Sequence, residues 1–152
     1  MFQTVSVIGG DLRQLTLARL LKDEGYHIFL YGFDKDIQLD DLEPEPDKDF
    51  VLSSDIVVLP VPVSFDGFTI NSPYADKPMT REEFLDGINP SALVFGGQLQ
   101  PAFTSALEEN GIAYRDYLKR EELSIKNAVP TAFTIYAKKL NYFPLNYWIL
   151  LA

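Results

Sequence analysis

The sequence predicts an α/β domain: a three-layer, open and mostly parallel sheet, flavodoxin-like in strand order, with a Rossmann-like half as the nearest alternative. Three observations carry that expectation. Short apolar runs rich in β-branched residues alternate with helix-length stretches along the chain. Asp55 to Leu59 (DIVVL) is unbroken in apolar character after its first residue, as expected of a strand buried on both faces of a parallel sheet. Thr4 to Ile8 (TVSVI) runs directly into Gly9-Gly10, the mark of a buried strand meeting a tight turn.

The elements follow in order. After the first strand, Leu12 to Lys22 places Leu12, Leu15, Leu17, Ala18, Leu20 and Leu21 in an approximate helical stripe, with Asp11 as N-cap and Gly25 in a C′-like position. His27 to Tyr31 (HIFLY) is the second strand, completing a βαβ opening of expected right-handed connection. Asp34 to Asp49 is acidic, carries Pro44 and Pro46, and reads as a solvated connection. The strand Asp55 to Leu59 is stopped by Pro60-Val61-Pro62, and Val63 to Pro78 has the Gly, Asn and Pro content of an ordered loop or small hairpin. A Thr-x-x-Glu capping box, Thr80 to Glu83, opens a short helix ending near Asp86. Ala92 to Phe95 is a fourth strand ending at Gly96-Gly97. Pro101 to Asn110 is a helix with Pro at its start and Gly111 at its end, and Ile112 to Tyr114 is a fifth short strand. From Glu121 a further helix can form, which Pro130 limits or kinks. No internal repeat is evident.

Composition removes whole classes of function. The chain has 152 residues, 47% hydrophobic and 23% charged, as for one soluble globular domain. A net charge of −9 argues against nucleic acid or an anionic membrane surface as partner, since phosphates need clustered Lys and Arg. No cysteine is present, which excludes disulfides, thiolate metal sites and cysteine nucleophiles. One histidine, His27, makes a histidine metal site improbable; at the start of a strand it is expected to cap or pack. The N-terminus does not read as a signal peptide, and no apolar run reaches the roughly 20 residues needed to span a bilayer. A cytoplasmic protein is the expectation.

In open α/β sheets ligands bind beyond the carboxyl ends of the strands. Gly9 to Gln14, Pro60 to Asn71 and Gly96 to Gln98 meet that rule and are expected to converge on one crevice, offering Asp11, Arg13, Gln14, Ser64, Asp66, Asn71, Gly97 and Gln98 as candidate substrate-binding residues. Each alone is more often a turn or cap residue; the convergence raises the odds. The turn after the first strand is a poor dinucleotide fingerprint. Counted from Gly9, the second required glycine position holds Asp11 and the third Gln14, so a carboxylate stands where backbone should approach a pyrophosphate. Asp34 lies at roughly the distance of a ribose-binding acid, a common coincidence. No cofactor site is therefore expected in this chain. Arg13 and Gln14 at a helix start suit a small anion instead, with Arg13 as a carboxylate fork; the bland alternative is that Arg13 pairs with Asp11 or a neighbouring acid. Ser64 lacks a nucleophile elbow and a His partner. A phospho-receiver domain would need an Asp where the third strand ends in Leu59-Pro60.

Four ordered segments carry a family resemblance: VIGGDLRQLTLARLL (Val7 to Leu21), VVLPVPVSFDGFTINSPYADKP (Val57 to Pro78), VFGGQL (Val94 to Leu99) and RDYLKREELSIKNAVPTA (Arg115 to Ala132). Together they resemble the N-terminal region of the dipicolinate synthase A-type chain. The resemblance implies a part in the NADP-linked oxidation of a dihydrodipicolinate-level precursor to dipicolinate, the pyridine dicarboxylate of spores. It implies a small dicarboxylate as ligand, NADP held by a second, C-terminal Rossmann domain, and, for partner, a separate flavoprotein-like B-type subunit. A dicarboxylate also fits the Arg13 reading, because buried negative charge requires positive partners.

The resemblance covers residues 1–132 as a domain; residues 133–152 depart from it. After Thr131-Ala132 the family pattern continues Glu-Gly-Ala, whereas this chain continues Phe133-Thr134-Ile135-Tyr136 and ends Trp148-Ile149-Leu150-Leu151-Ala152. A truncated or frameshifted coding sequence, leaving a domain inactive alone, is one expectation for this divergent apolar tail. The other is a native apolar cap that packs across the sheet or makes a homodimer, because an exposed aromatic end is costly. A stand-alone carboxylate-binding or regulatory module, or a remnant that only folds, remain the alternatives to a synthase domain.

Overall fold

The computed structural model describes residues 3–35 and 37–116. The strands are β1 (Thr4–Ile8), β2 (His27–Tyr31), β3 (Ile56–Val58), β4 (Leu93–Gly96) and β5 (Ala113–Asp116); the helices are α1 (Leu12–Asp23), α2 (Lys48–Leu52), α3 (Arg81–Gly87) and α4 (Pro101–Glu109). The strands form one sheet in the order β2-β1-β3-β4-β5, with every pairing parallel. That is the flavodoxin-like order expected from the sequence. The helix expected from Glu121, the tail and the boundary at residue 132 lie outside the described residues.

Strand pleating sorts the core into two layers. Val5 and Val7 of β1, with Ile56 and Val58 of β3 and Leu93 and Phe95 of β4, face α1 and bury its Leu15, Leu17, Ala18 and Leu21. Ile8, Val57 and Val94 face the other way, against Val51 and Leu52 of α2, Phe84 of α3 and Phe103 and Leu107 of α4. Helices on both faces of one sheet make the three layers. Ser6 is the polar intruder in β1. Its hydroxyl lies 2.5 Å from the Val51 carbonyl and 2.6 Å from the Ser54 hydroxyl, so it is satisfied where it is buried and ties α2 to β1.

Two expectations change. The acidic stretch after β2 is more than a solvated connection. It contains the start of α2, capped by the Asp47 carboxylate on the Asp49 amide, and its middle is strapped to α1. Arg19 pairs with Asp40 at 2.8 Å and Lys22 with Asp41 at 3.2 Å, while Leu42 is buried in the α1-side core. Repeated acids here answer two cations one turn apart on the helix. Leu12, read as part of the buried stripe, is instead 58% exposed; Gln14 takes the inward place and is 2% exposed.

Candidate functional site

Chain direction along the sheet reverses at β1, because β2 lies on one side of it and β3 on the other. Loops leaving the carboxyl ends of β1 and β3 therefore diverge, and the crevice of an open α/β sheet opens there. All three expected segments meet at this edge. The Gly10 amide donates to the Asn71 carbonyl at 2.8 Å, the Val63 amide to the Gly97 carbonyl at 3.2 Å, and Arg13 Nη2 to the Val61 carbonyl at 3.3 Å. The chain reaches this geometry through Gly9 at φ +65° and Gly10 at φ +89°. A Cβ on Gly9 would collide with Ser72 Oγ and sit 2.7 Å from the Asn71 carbonyl oxygen, so glycine is required for both conformation and space.

Asp11, Arg13 and Gln14 form one closed unit at the start of α1. Asp11 caps the helix through the Arg13 amide at 2.9 Å, and Gln14 Oε1 accepts the Asp11 amide at 2.9 Å, completing a capping box. Arg13 then forks onto the same carboxylate, with Nε 3.0 Å from Oδ1 and Nη2 3.0 Å from Oδ2. Partial burial pushes the Asp11 carboxyl up, but the hydrogen bonds and charge of Arg13 outweigh it, so Asp11 lies below its ordinary value. The Arg13 amide is thus engaged by the Asp11 carboxylate and the Asp11 amide by Gln14, and a carboxylate stands where a dinucleotide phosphate would have to approach, so the residues of this turn do not fit one.

Ser64 and Asp66 are turned toward their own loop. Asp66 Oδ1 accepts the Phe68 amide at 2.8 Å, the Thr69 amide at 2.8 Å and the Ser64 hydroxyl at 3.0 Å, and Ser64 Oγ accepts the Gly67 amide at 2.9 Å. The Phe68 and Thr69 amides hold the Asp66 carboxyl down at about 2, against the small opposing effect of desolvation. From outside the turn, Gln100 Nε2 reaches the Ser64 carbonyl at 3.2 Å and Arg81 Nη1 the Gly67 carbonyl at 3.1 Å, with the Arg81 guanidinium 5.4 Å from the Phe68 ring centre. Gly97 is buried with its carbonyl engaged by Val63, and Gln98 is exposed at φ +55°.

Sequence reasoning missed three participants. Gln100 and Arg81 brace the Ser64–Thr69 turn, and Phe65 stands 77% exposed beside it. The Asp-x-x-Gln spacing of Asp11 and Gln14 was a signal in hand: it is a capping-box spacing. No such signal marks Phe65. Elsewhere, a surface depression of about 340 Å³ between Lys22, His27, Leu30 and Glu43 lies at the opposite, amino end of β2, away from the crevice. Among the described residues no cluster of three or more His, Asp or Glu could hold a metal, and no helix is long and apolar enough to cross a membrane.

Comparison with known proteins agrees with the sheet order. Residues 4–118 match the N-terminal domain of the dipicolinate synthase A-type chain. The dipicolinate synthase A-type chain of Bacillus subtilis (strain 168) is 28% identical over 138 residues, covering 84% of this chain and 44% of that protein. The crystal structure of the Bacillus subtilis dipicolinate synthase A chain superposes with a TM-score of 0.70 at 19% identity, over 94% of this chain and 49% of that one. Its counterpart from Bacillus halodurans gives 0.68 at 19% identity, over 93% and 49%. D-lactate dehydrogenase with NAD+ from Lactobacillus jensenii gives 0.52 at 17% identity, over 98% and 49%. At these identities the structural likenesses show the fold alone. The chain spans about half the length of the relatives it matches.

Proposed function

This chain belongs to the family of dipicolinate synthase A-type N-terminal domains, and on that premise we propose that it is the substrate-side domain of such a synthase chain, binding a small dicarboxylate at the carboxyl edge of β1 and β3. The observation that carries the reading is Arg13. Its guanidinium is held at the helix start in a bidentate fork on a carboxylate, which is the geometry a ligand carboxylate needs.

Asp11 occupies that fork, but weakly enough to exchange. The pair is about half exposed, 45% for Arg13 and 43% for Asp11, and exposed ion pairs contribute roughly 0.2–1 kcal/mol. A ligand carboxylate that takes Arg13 leaves Asp11 with its amide bonds at the helix cap. Asn71 and Gln98 are the other candidates for ligand contact. Ser64, Asp66, Gly97 and Gln14 act one step back, by fixing the backbone that presents them.

The reaction class proposed for the complete enzyme is NADP-linked oxidation of a dihydrodipicolinate-level precursor to dipicolinate. NADP is assigned to the half of the longer relatives that this chain does not match, since the Gly9–Gln14 turn does not suit it. A B-type flavoprotein-like subunit is the proposed partner, a homodimer an alternative assembly, the cytoplasm the proposed location, and the chain alone is proposed to lack hydride-transfer activity. Titration calorimetry with dipicolinate tests the site. Saturable binding that weakens about tenfold in Arg13→Gln is expected, the scale of one charge-assisted contact; equal affinity in wild type and variant, or no binding by the folded chain, overturns it.

A further inference from the structure

Large apolar side chains at the surface are unevenly placed. Among the described residues Leu12, Phe50, Phe65 and Phe68 stand exposed, and all but Phe50 lie at the carboxyl edge of the sheet. Phe65 and Phe68, 77% and 65% exposed, belong to one braced turn. Asp66 gathers its amides, Gln100 and Arg81 hold its carbonyls, and the Arg81 guanidinium lies 5.4 Å from the Phe68 ring centre. Two aromatic rings held out by a fixed backbone form an apolar contact surface with little order left to lose on docking. The chain leaves the sheet beside this turn. Asp116, the last residue of β5, accepts the Leu99 amide at 2.8 Å, and the following Gln100 reaches the Ser64 carbonyl at 3.2 Å. Residue 117 therefore starts two hydrogen bonds away from the neighbour of Phe65.

The sequence beyond that exit names the occupant. Residues 133–152 (FTIYAKKLNYFPLNYWILLA) hold six aromatic residues, Trp148 among them, with Lys138 and Lys139 and no acid. The whole chain carries a net charge of −9, so the part before this segment is more acidic still. The segment thus complements the rest of the molecule in charge, and its apolar content matches the exposed phenylalanines. Residues 117–132 are the connection, and a flexible chain of 16 residues spans roughly 20 Å. Covalent linkage gives an effective concentration in the millimolar range, so even a weak contact is occupied. We propose that residues 133–152 dock on the Phe65–Phe68 turn of the same molecule, aromatic side chains against the two phenylalanines. The docking surface stands whether or not Arg13 binds a dicarboxylate.

Trp148 is the single tryptophan of the chain and reports on this contact directly. In dilute intact protein its fluorescence is expected to resist quenching by acrylamide. Phe65→Ser combined with Phe68→Ser is expected to raise the quenching constant at least about twofold, as a docked population becomes an open one. Phe65→Tyr with Phe68→Tyr is expected to keep the protection. A nitroxide attached through Ala152→Cys, in a chain that has no cysteine of its own, gives the location. Amide NMR signals of residues 64–69 are expected to broaden most, and that of Ser91, at the amino end of β4, to stay sharp. Free quenching of Trp148 in the wild type, quenching unchanged in the serine variant, or broadening centred elsewhere overturns the proposal. Protection that appears only as protein concentration rises also overturns it, by assigning the contact to a second copy. The nitroxide measurement keeps both phenylalanines, so it decides the matter even where the serine variant fails to fold. The dicarboxylate reading fails separately, through dipicolinate affinity and its dependence on Arg13.

Discussion

Two loops meet at the carboxyl edge of the sheet, and they are stabilised in opposite ways. The Gly9–Gln14 turn closes with an ion pair near half exposure, open to solvent. The Ser64–Thr69 turn closes around a single carboxylate oxygen that gathers two backbone amides and a hydroxyl, and nothing from outside replaces those without undoing the turn. Charge at the first is solvent-accessible and charge at the second is structural. The contrast explains why three acids and bases of similar appearance in the sequence, Asp11, Arg13 and Asp66, have different prospects as ligand contacts.

The comparison can be broken most severely where the first turn packs against the chain just beyond the second. Gly9→Ala places a Cβ against Ser72 and the Asn71 carbonyl at φ +65°, and is expected to cost about 2–3 kcal/mol, read as a lower urea midpoint with unchanged slope. Asp11→Ala removes the N-cap as well as the partner of Arg13, and about 1 kcal/mol of stability should go with it in the same assay. Asp11→Asn sharpens the contrast. It keeps the cap, so stability should move by only a few tenths of a kcal/mol, while dipicolinate binding by calorimetry should tighten about two- to fivefold, because the competing carboxylate is gone; weaker binding would show that Asp11 assists the ligand instead of competing with it. The last effect shows its pH dependence in acid. With its carboxyl held down at about 2 from an ordinary 3.8, Asp66 contributes its full share to folding above pH 3.8, and that share is lost as pH falls through about 2. The side-chain carboxyl carbon should titrate near pH 2 by NMR, and Asp66→Asn should flatten the acid limb of the stability curve while leaving its shape at neutral pH unchanged.

Much of the framework was legible because it depends on local rules. The boundaries of β1 and β2 follow from short apolar runs that end at glycine, and the Thr80–Glu83 capping box marks the start of α3. The five-residue α2 was missed because KDFVL is too short to display a period, and only packing of Val51 and Leu52 under β1 makes it a helix. The sequence brings the three candidate segments to one edge of the sheet, but does not give the directions of their side chains. Gln14 carries a polar residue type and lies buried; Phe65 carries an apolar one and lies exposed. Hydrophobicity predicts neither, because Gln14 goes inward to complete a cap and Phe65 is held outward by bonds between other residues. Which way Arg13 turns depends on a partner two positions away, a choice the sequence leaves open between ligand and Asp11.

The returning acidic loop has a consequence for how this sheet can grow. Beyond β2, which has no further strand beside it among the described residues, Pro44 lies in a parallel bridge with Leu30, and the Glu45 amide donates to the Leu30 carbonyl at 2.7 Å. Proline has no amide hydrogen to offer the next strand, so this border accepts no further ladder. A second chain seeking an open edge meets a missing donor on that side. The ion pairs at residues 40 and 41 anchor to α1 the segment that leads into this proline.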